Sequence, residues 1–133
     1  MDEPLPHDVS AQTDHHALLQ RVANSQTFHR SARLRDLLLD IGEHTLAGRG
    51  GELSEQVIGV RVFGREQGYH ASDDNIVRAS VRQVRLKLKE YFDTEARHEP
   101  ILLEIPKGSY VALFTTRATP APAEAPRIPA FLP

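Results

Sequence analysis

The segment of residues 73–92, DDNIVRASVRQVRLKLKEYF, constrains the fold most, because it combines an apolar stripe with a basic one. Its apolar residues recur every three or four positions, the spacing of one helix face: Val77, Val81, Val84, Leu88 and Tyr91. At about 100° per residue, one flank of the same helix carries basic side chains: Arg78, Arg82, Arg85 and Lys89. Ser72, Asp73 and Asp74 precede it and suit a helix N-terminus. The pattern predicts a long amphipathic helix packed on a core.

This helix is basic, although the chain is not. With Lys87 counted, five basic residues oppose only Glu90, so residues 75–92 carry a net charge of +4, whereas the whole chain of 133 residues carries −2. A basic helix in a mildly acidic protein points to a polyanionic partner. The alternative is an ordinary amphipathic helix whose arginines are only solvated.

Composition narrows the classes of function. The chain has no cysteine, which excludes disulfides, thiolate zinc sites and cysteine nucleophiles. No apolar run approaches the roughly 20 residues of a membrane span, and the acidic N-terminus lacks the apolar stretch of a secretory signal. We expect a cytoplasmic protein without membrane association. Seven histidines are scattered, and no phosphate loop or catalytic triad pattern is visible. We therefore predict no metal, no cofactor and no enzymatic activity.

Upstream of the basic helix, the chain begins with an acidic region. Residues 1–29 carry a net charge of −3, from one basic and four acidic residues. We predict a disordered lead up to about residue 12, followed by a short helix at residues 14–24 with Asp14 as an N-cap. A stronger helix is predicted for residues 30–47, where Ser31 is the N-cap candidate.

Residues 54–63 are ambiguous between helix and strand. Their β-branched run suits a strand, but Ser54 as a cap and the short length favour a helix of two or three turns. Downstream of the basic helix, residues 101–105 and 110–114 form two apolar runs around a Pro-Lys-Gly-Ser turn. This pattern predicts a β-hairpin with Lys107 at its tip.

The order of helix, short helix, long basic helix and hairpin is that of a winged helix. We predict an α+β fold in which residues 30–115 form a three-helix core with a C-terminal hairpin wing. Residues 1–29 add an acidic, partly helical extension, and residues 116–133, rich in Pro and Ala, form a tail or linker. The basic helix fits a major groove about 12 Å wide, with the hairpin on the adjacent backbone or minor groove.

Residues 33–114 resemble the DNA-binding effector domain of OmpR/PhoB-type bacterial transcriptional regulators. The segment LSEQVIGVRVFG at residues 53–64 resembles the family's V-S-x-x-x-L-x-x-x-V-W-G, with Phe63 at the tryptophan. The family's basic helix, V-x-x-H-I-x-x-L-R-x-K-L, is matched by Val77, Val81, Val84, Arg85, Lys87 and Leu88. Residues 105–110 look like a family hairpin one residue shorter.

The resemblance implies a transcriptional regulator that reads a sequence in double-stranded DNA. The chain departs from the family at Ser80, where many members have histidine, and residues 1–29 do not supply the family's N-terminal sheet. It also lacks a receiver domain, so phosphorylation control is not implied. A homodimer and a further sensor domain of the same polypeptide stay open as partners.

The candidate DNA-binding residues lie on the basic helix and the hairpin tip: Asn75, Arg78, Ser80, Arg82, Gln83, Arg85, Lys87, Lys89 and Lys107. In a major groove Arg82 suits guanine, and Gln83 or Asn75 suits adenine. The resemblance also implies base or phosphate contacts at four positions: Ser80, Arg82, Gln83 and Arg85.

The remaining cations suit phosphates, which position a protein without specifying sequence: Arg78, Arg85, Lys87 and Lys89. An ion pair inside the domain is the alternative for Arg85, and simple solvation is the alternative for Lys87 and Lys89.

A second hypothesis is a winged-helix module that binds protein instead of DNA. Residues 30–114 contain 13 basic and 13 acidic residues, so this region is neutral overall. Leu86 points outward beside the basic stripe, where it would contact a thymine methyl, a protein partner or nothing. A third alternative is that residues 1–29 fold over the basic helix and inhibit it.

Overall fold

The computed structural model describes residues 6–117, in which five α-helices pack with a two-stranded antiparallel sheet. The helices are α1 (Pro6–Ala23), α2 (Gln26–His29), α3 (Ala32–Leu46), α4 (Glu55–Arg61) and α5 (Ile76–Asp93), with a 3₁₀ turn at Gly50–Glu52. The strands are β1 (Ile101–Glu104) and β2 (Leu113–Thr116). This arrangement confirms the predicted mixture of helices and a hairpin.

Side-chain caps mark the starts of α3 and α4. The hydroxyl oxygen of Ser31 accepts the N–H of Leu34 at 3.2 Å, and that of Ser54 accepts the N–H of Val57 at 3.1 Å. Both caps satisfy backbone donors that a helix leaves unpaired in its first turn. The ambiguous residues 54–63 therefore contain a helix, as predicted, and not a strand.

The long helix α5 buries the stripe that its sequence predicts. All five stripe residues are 5 % exposed or less: Val77, Val81, Val84, Leu88 and Tyr91. The helix begins at Ile76, whose N–H donates to a carboxylate oxygen of Asp74 at 3.2 Å. A hydrogen bond from Arg65 at 2.7 Å lowers the pKa of Asp74, although partial burial opposes the shift. This carboxylate joins the preceding loop to the helix start.

The N-terminal helix is longer than predicted and belongs to the core. α1 begins at Pro6, so the disordered lead predicted up to residue 12 is wrong for residues 6–12. Leu18, Leu19 and Val22 are fully buried in the same hydrophobic cluster as α3 and α5. A Cβ on Gly42 of α3 would lie 2.6 Å from a methyl group of Leu19, so glycine allows the two helices to approach closely. The predicted boundary at residues 29/30 therefore runs through one core.

The second strand of the hairpin starts three residues later than predicted. Leu103 pairs with Phe114 and Ile101 with Thr116, which leaves residues 105–112 as a loop. Several backbone groups of this loop bond to α3 and α5 instead of across the hairpin. The N–H of Ala112, for example, donates to the hydroxyl oxygen of Thr45 on α3 at 3.0 Å. At the tip, Gly108 adopts a φ of 79°, a backbone conformation that residues with a Cβ atom rarely adopt.

The folded part continues past residue 115, where the predicted domain ends. The Arg117 guanidinium donates to the carbonyls of Phe92 at 3.0 Å and Ala96 at 3.1 Å, so it caps the end of α5. Most of the predicted tail, residues 118–133, lies outside the described residues. Between residues 6 and 117, no helix combines the length and the apolar content that crossing a membrane requires.

Candidate nucleic-acid interface

The outward face of α5 and the hairpin loop form two adjoining depressions. The first is lined by Asn75, Arg78, Ala79, Arg82, Gln83 and Leu86. The second is lined by Arg78, Arg82, Arg85, Leu86, Lys89 and Lys107. Three residues line both depressions, so we treat the two as one surface and call it the basic groove.

The charged side chains of the basic groove are mainly positive. Its second depression brings four cations of α5 together with Lys107 of the hairpin loop, and none of the described residues that line it is acidic. Because the apolar stripe of α5 faces the core, the opposite stripe is held outward by the same packing. The fold therefore concentrates positive charge on one face of a protein whose net charge is −2.

Four of the nine predicted site residues are exposed and make no side-chain hydrogen bond or ion pair within residues 6–117: Asn75, Arg82, Gln83 and Lys107. Among the cations of α5, only Arg82 is exposed and makes no side-chain hydrogen bond or ion pair within residues 6–117. Its guanidinium retains its planar set of donors for a ligand.

Two further cations hold weak surface ion pairs. Arg78 donates to a carboxylate oxygen of Glu55 on α4 at 2.6 Å, with the two side chains 46 % and 21 % exposed. Lys89 contacts Asp93 one turn later at 3.4 Å, and both side chains are largely exposed. Surface pairs of this kind contribute about 0–1 kcal/mol, so both cations can exchange a carboxylate for another anion at little cost.

Arg85 is committed to the hairpin loop. Its Nε donates to the carbonyl of Ile105 at 2.7 Å, and its Nη2 donates to the carbonyls of Pro106 at 3.1 Å and Ser109 at 3.0 Å. The alternative of an acidic partner inside the domain is wrong, because the partners are backbone carbonyls. Arg85 is half-buried, and its bonds position Lys107 beside α5.

Two predicted contacts do not lie on the groove. Lys87 donates to the carbonyl of Thr27 at 3.2 Å, so it bridges α5 to α2 and is not simply solvated. Ser80 is only 7 % exposed and lies on the buried side of α5 beside Val77 and Val81. Neither residue belongs to the set of side chains that the groove presents.

Tyr110 lies beside the basic groove, and sequence reasoning missed it. It lies in a third depression with Arg78 and Arg85, beside the loop tip. Burial raises its pKa, and the negative charge of Glu55 adds to the rise, although Arg78 and Arg85 oppose it. The phenol is therefore a protonated donor at neutral pH. Its position directly after the Pro-Lys-Gly-Ser turn was the available signal.

No histidine of residues 6–117 lines the basic groove. The ring of His15 on α1 stacks on Phe114 of β2, with ring centroids 4.6 Å apart. In the part of the chain that the structure describes, no three His, Asp or Glu side chains are arranged to hold a metal ion.

Comparisons with protein-family models, curated proteins and solved structures give no match to this chain. The functional argument therefore rests on the groove itself.

Proposed function

We propose that the chain is a winged-helix DNA-binding domain of a transcriptional regulator, similar to the OmpR/PhoB-type effector domain. In this proposal α5 enters the major groove, and the hairpin loop lies on the adjacent backbone or minor groove. The observation that carries it is the convergence of four cations of α5 with Lys107 in a groove to which residues 6–117 contribute no acidic lining side chain. Such a surface suits the phosphate groups of a duplex.

The partners of each side chain support a division of roles. Arg82, which has no partner within residues 6–117, suits bidentate bonding to guanine, and the exposed amides of Gln83 and Asn75 suit adenine. Arg78, Lys89 and Lys107 are placed for phosphates. Arg85 acts on the DNA indirectly, because it holds the loop that carries Lys107.

The test is fluorescence anisotropy with a random-sequence DNA duplex pool, titrated with salt. Three or four phosphate contacts give a slope of log K against log salt of about −3 to −4. We expect micromolar or tighter binding at 50 mM salt that weakens with this slope. Absence of binding at 50 mM salt would reject the proposal.

A second candidate function is a protein-binding module, which the exposure of Leu86, 62 %, favours. Dimer formation that is insensitive to substitution of Arg82, in material free of nucleic acid, would support it. The cations that surround Leu86 favour the DNA proposal, because a protein partner would have to match all of them with acidic groups.

A further inference from the structure

The basic groove has an apolar side chain at its centre. Leu86 is 62 % exposed, more than the other exposed large hydrophobic side chains of residues 11–117, Leu113 at 42 % and Val57 at 37 %. It lines both depressions, one helical turn beyond Arg82 and three residues before Lys89. A phosphate backbone offers a leucine no apolar partner. An apolar group on the ligand itself would give this side chain a partner that the phosphates cannot.

We infer that Leu86 contacts the C5 methyl group of a thymine, and that this contact determines part of the target sequence. The inference rests on the proposed function. Among the base edges of the major groove, the thymine methyl is the distinctive apolar group. Leu86 lines the same depression of α5 as Arg82 and Gln83, the residues proposed to contact bases. An isolated leucine ringed by charge offers a protein partner only a small apolar contact.

Helix geometry limits where this thymine lies. Leu86 follows Arg82 by four residues, so their Cα atoms are separated by about 6 Å along α5. Stacked base pairs are spaced by about 3.4 Å. If Arg82 binds a guanine, the thymine that Leu86 contacts lies within about two base steps of it. The selected target sequence should contain a guanine and a thymine at this spacing.

The experiment removes the methyl group alone. A target is first selected from the random duplex pool with the full chain, and each thymine is then replaced in turn by deoxyuridine. We expect one thymine per bound domain at which the replacement weakens binding of the wild-type chain about threefold to fivefold, the effect of one buried methyl. Leu86→Ala should bind the thymine and deoxyuridine duplexes equally. Leu113→Ala, which changes an exposed leucine outside the groove, should respond as the wild type does.

Two outcomes would overturn the inference. The first is a selected target with no methyl-sensitive thymine, and the second is a sensitivity that persists undiminished in Leu86→Ala. A change of oligomeric state in Leu86→Ala that accompanies the second outcome would assign the leucine to a second copy of the chain. In both outcomes the wild type still binds DNA, so they are distinct from a failure of the proposed function, in which no duplex binds.

Discussion

Two arginines three residues apart on α5 have opposite roles. Arg82 is exposed and has no partner within residues 6–117, whereas Arg85 donates three hydrogen bonds to the hairpin loop. Sequence spacing placed both on one basic stripe and offered an ion pair inside the domain as an alternative for Arg85, but it did not identify the carbonyls that Arg85 binds. The partners of Arg85 lie 20 to 24 residues further along the chain, and nothing local signals them.

Arg82→Ala should remove base recognition. We expect binding to a selected target to weaken by about 1–3 kcal/mol, with little change for random duplexes.

Lys107→Ala should weaken binding to all DNA sequences alike and reduce the slope of log K against log salt by about one. Both are measured by fluorescence anisotropy, with Arg35→Ala, an exposed arginine of α3 outside the groove, as the control. Wild-type binding by both variants would remove these two roles.

Arg85→Ala should destabilise the protein as well as weaken DNA binding. Three half-buried carbonyls lose a charged donor, which costs about 1–3 kcal/mol in the free energy of unfolding. Arg85→Lys should recover only part of this, because one ammonium lacks the planar fork of the guanidinium. Urea unfolding measures the change, and Arg82→Ala serves as the matched control. An unchanged midpoint for Arg85→Ala would contradict the tethering role.

At the scale of elements, the short helix α2 depends on a residue far away in sequence. The carboxylate of Glu95, just after α5, accepts the N–H of Gln26 at 3.2 Å, the N–H of Thr27 at 2.7 Å and the hydroxyl of Thr27 at 2.6 Å. Partial burial alone would raise the pKa of Glu95, but these three donors outweigh it and the pKa is lowered. Sequence analysis did not predict α2: Ser25 caps it locally, but the helix has only four residues and its first turn is completed by this distant carboxylate.

This carboxylate makes part of the stability pH-dependent. Since its pKa is lower in the folded state, its contribution is fully present above the unfolded value of about 4.3 and is lost as the pH falls through the folded value. Glu95→Gln should lower the free energy of unfolding by about 0.5–1 kcal/mol at pH 7. Urea unfolding at pH 7 and pH 3 should show this difference shrinking at the lower pH, whereas Glu90→Gln should change little at either. A difference that is equal at both pH values would refute this role.

For the whole molecule, sequence reasoning succeeded where the signal was local and failed where it was not. The buried stripe of α5 and the caps at Ser31 and Ser54 follow from spacing and side-chain chemistry within a few residues. The role of α1 did not follow, because its apolar side chains fill only its last turns and their partners lie on α3. Lys87 was misjudged for the same reason, since the carbonyl it bonds is 60 residues away. In the candidate site, the sequence could predict which cations lie on α5 and the hairpin. It could not predict which of them already bind carbonyls or carboxylates of the protein itself.

Removing residues 1–24 should abolish the cooperative fold. The deletion takes away Leu18, Leu19 and Val22, all fully buried, and each contributes about 1.5–3 kcal/mol. Together these contributions are a large share of the 5–15 kcal/mol that is the usual free energy of unfolding of a domain. Circular dichroism during thermal unfolding measures the loss. Leu19→Ala should lower the midpoint in the full chain, whereas Gln20→Ala, an exposed position of α1, should not. A folded deletion variant with raised DNA affinity would instead support an inhibitory α1.

The three bonds from Arg85 also bear on how fast the protein would capture DNA. Because they fasten the loop to α5, Lys107 and the helix face would approach a duplex as one surface if the proposed function holds. No segment between them has to become ordered during the encounter, so the entropy of that ordering does not oppose association. The association rate should then depend on diffusion and electrostatic steering, and salt should slow capture more than it hastens release.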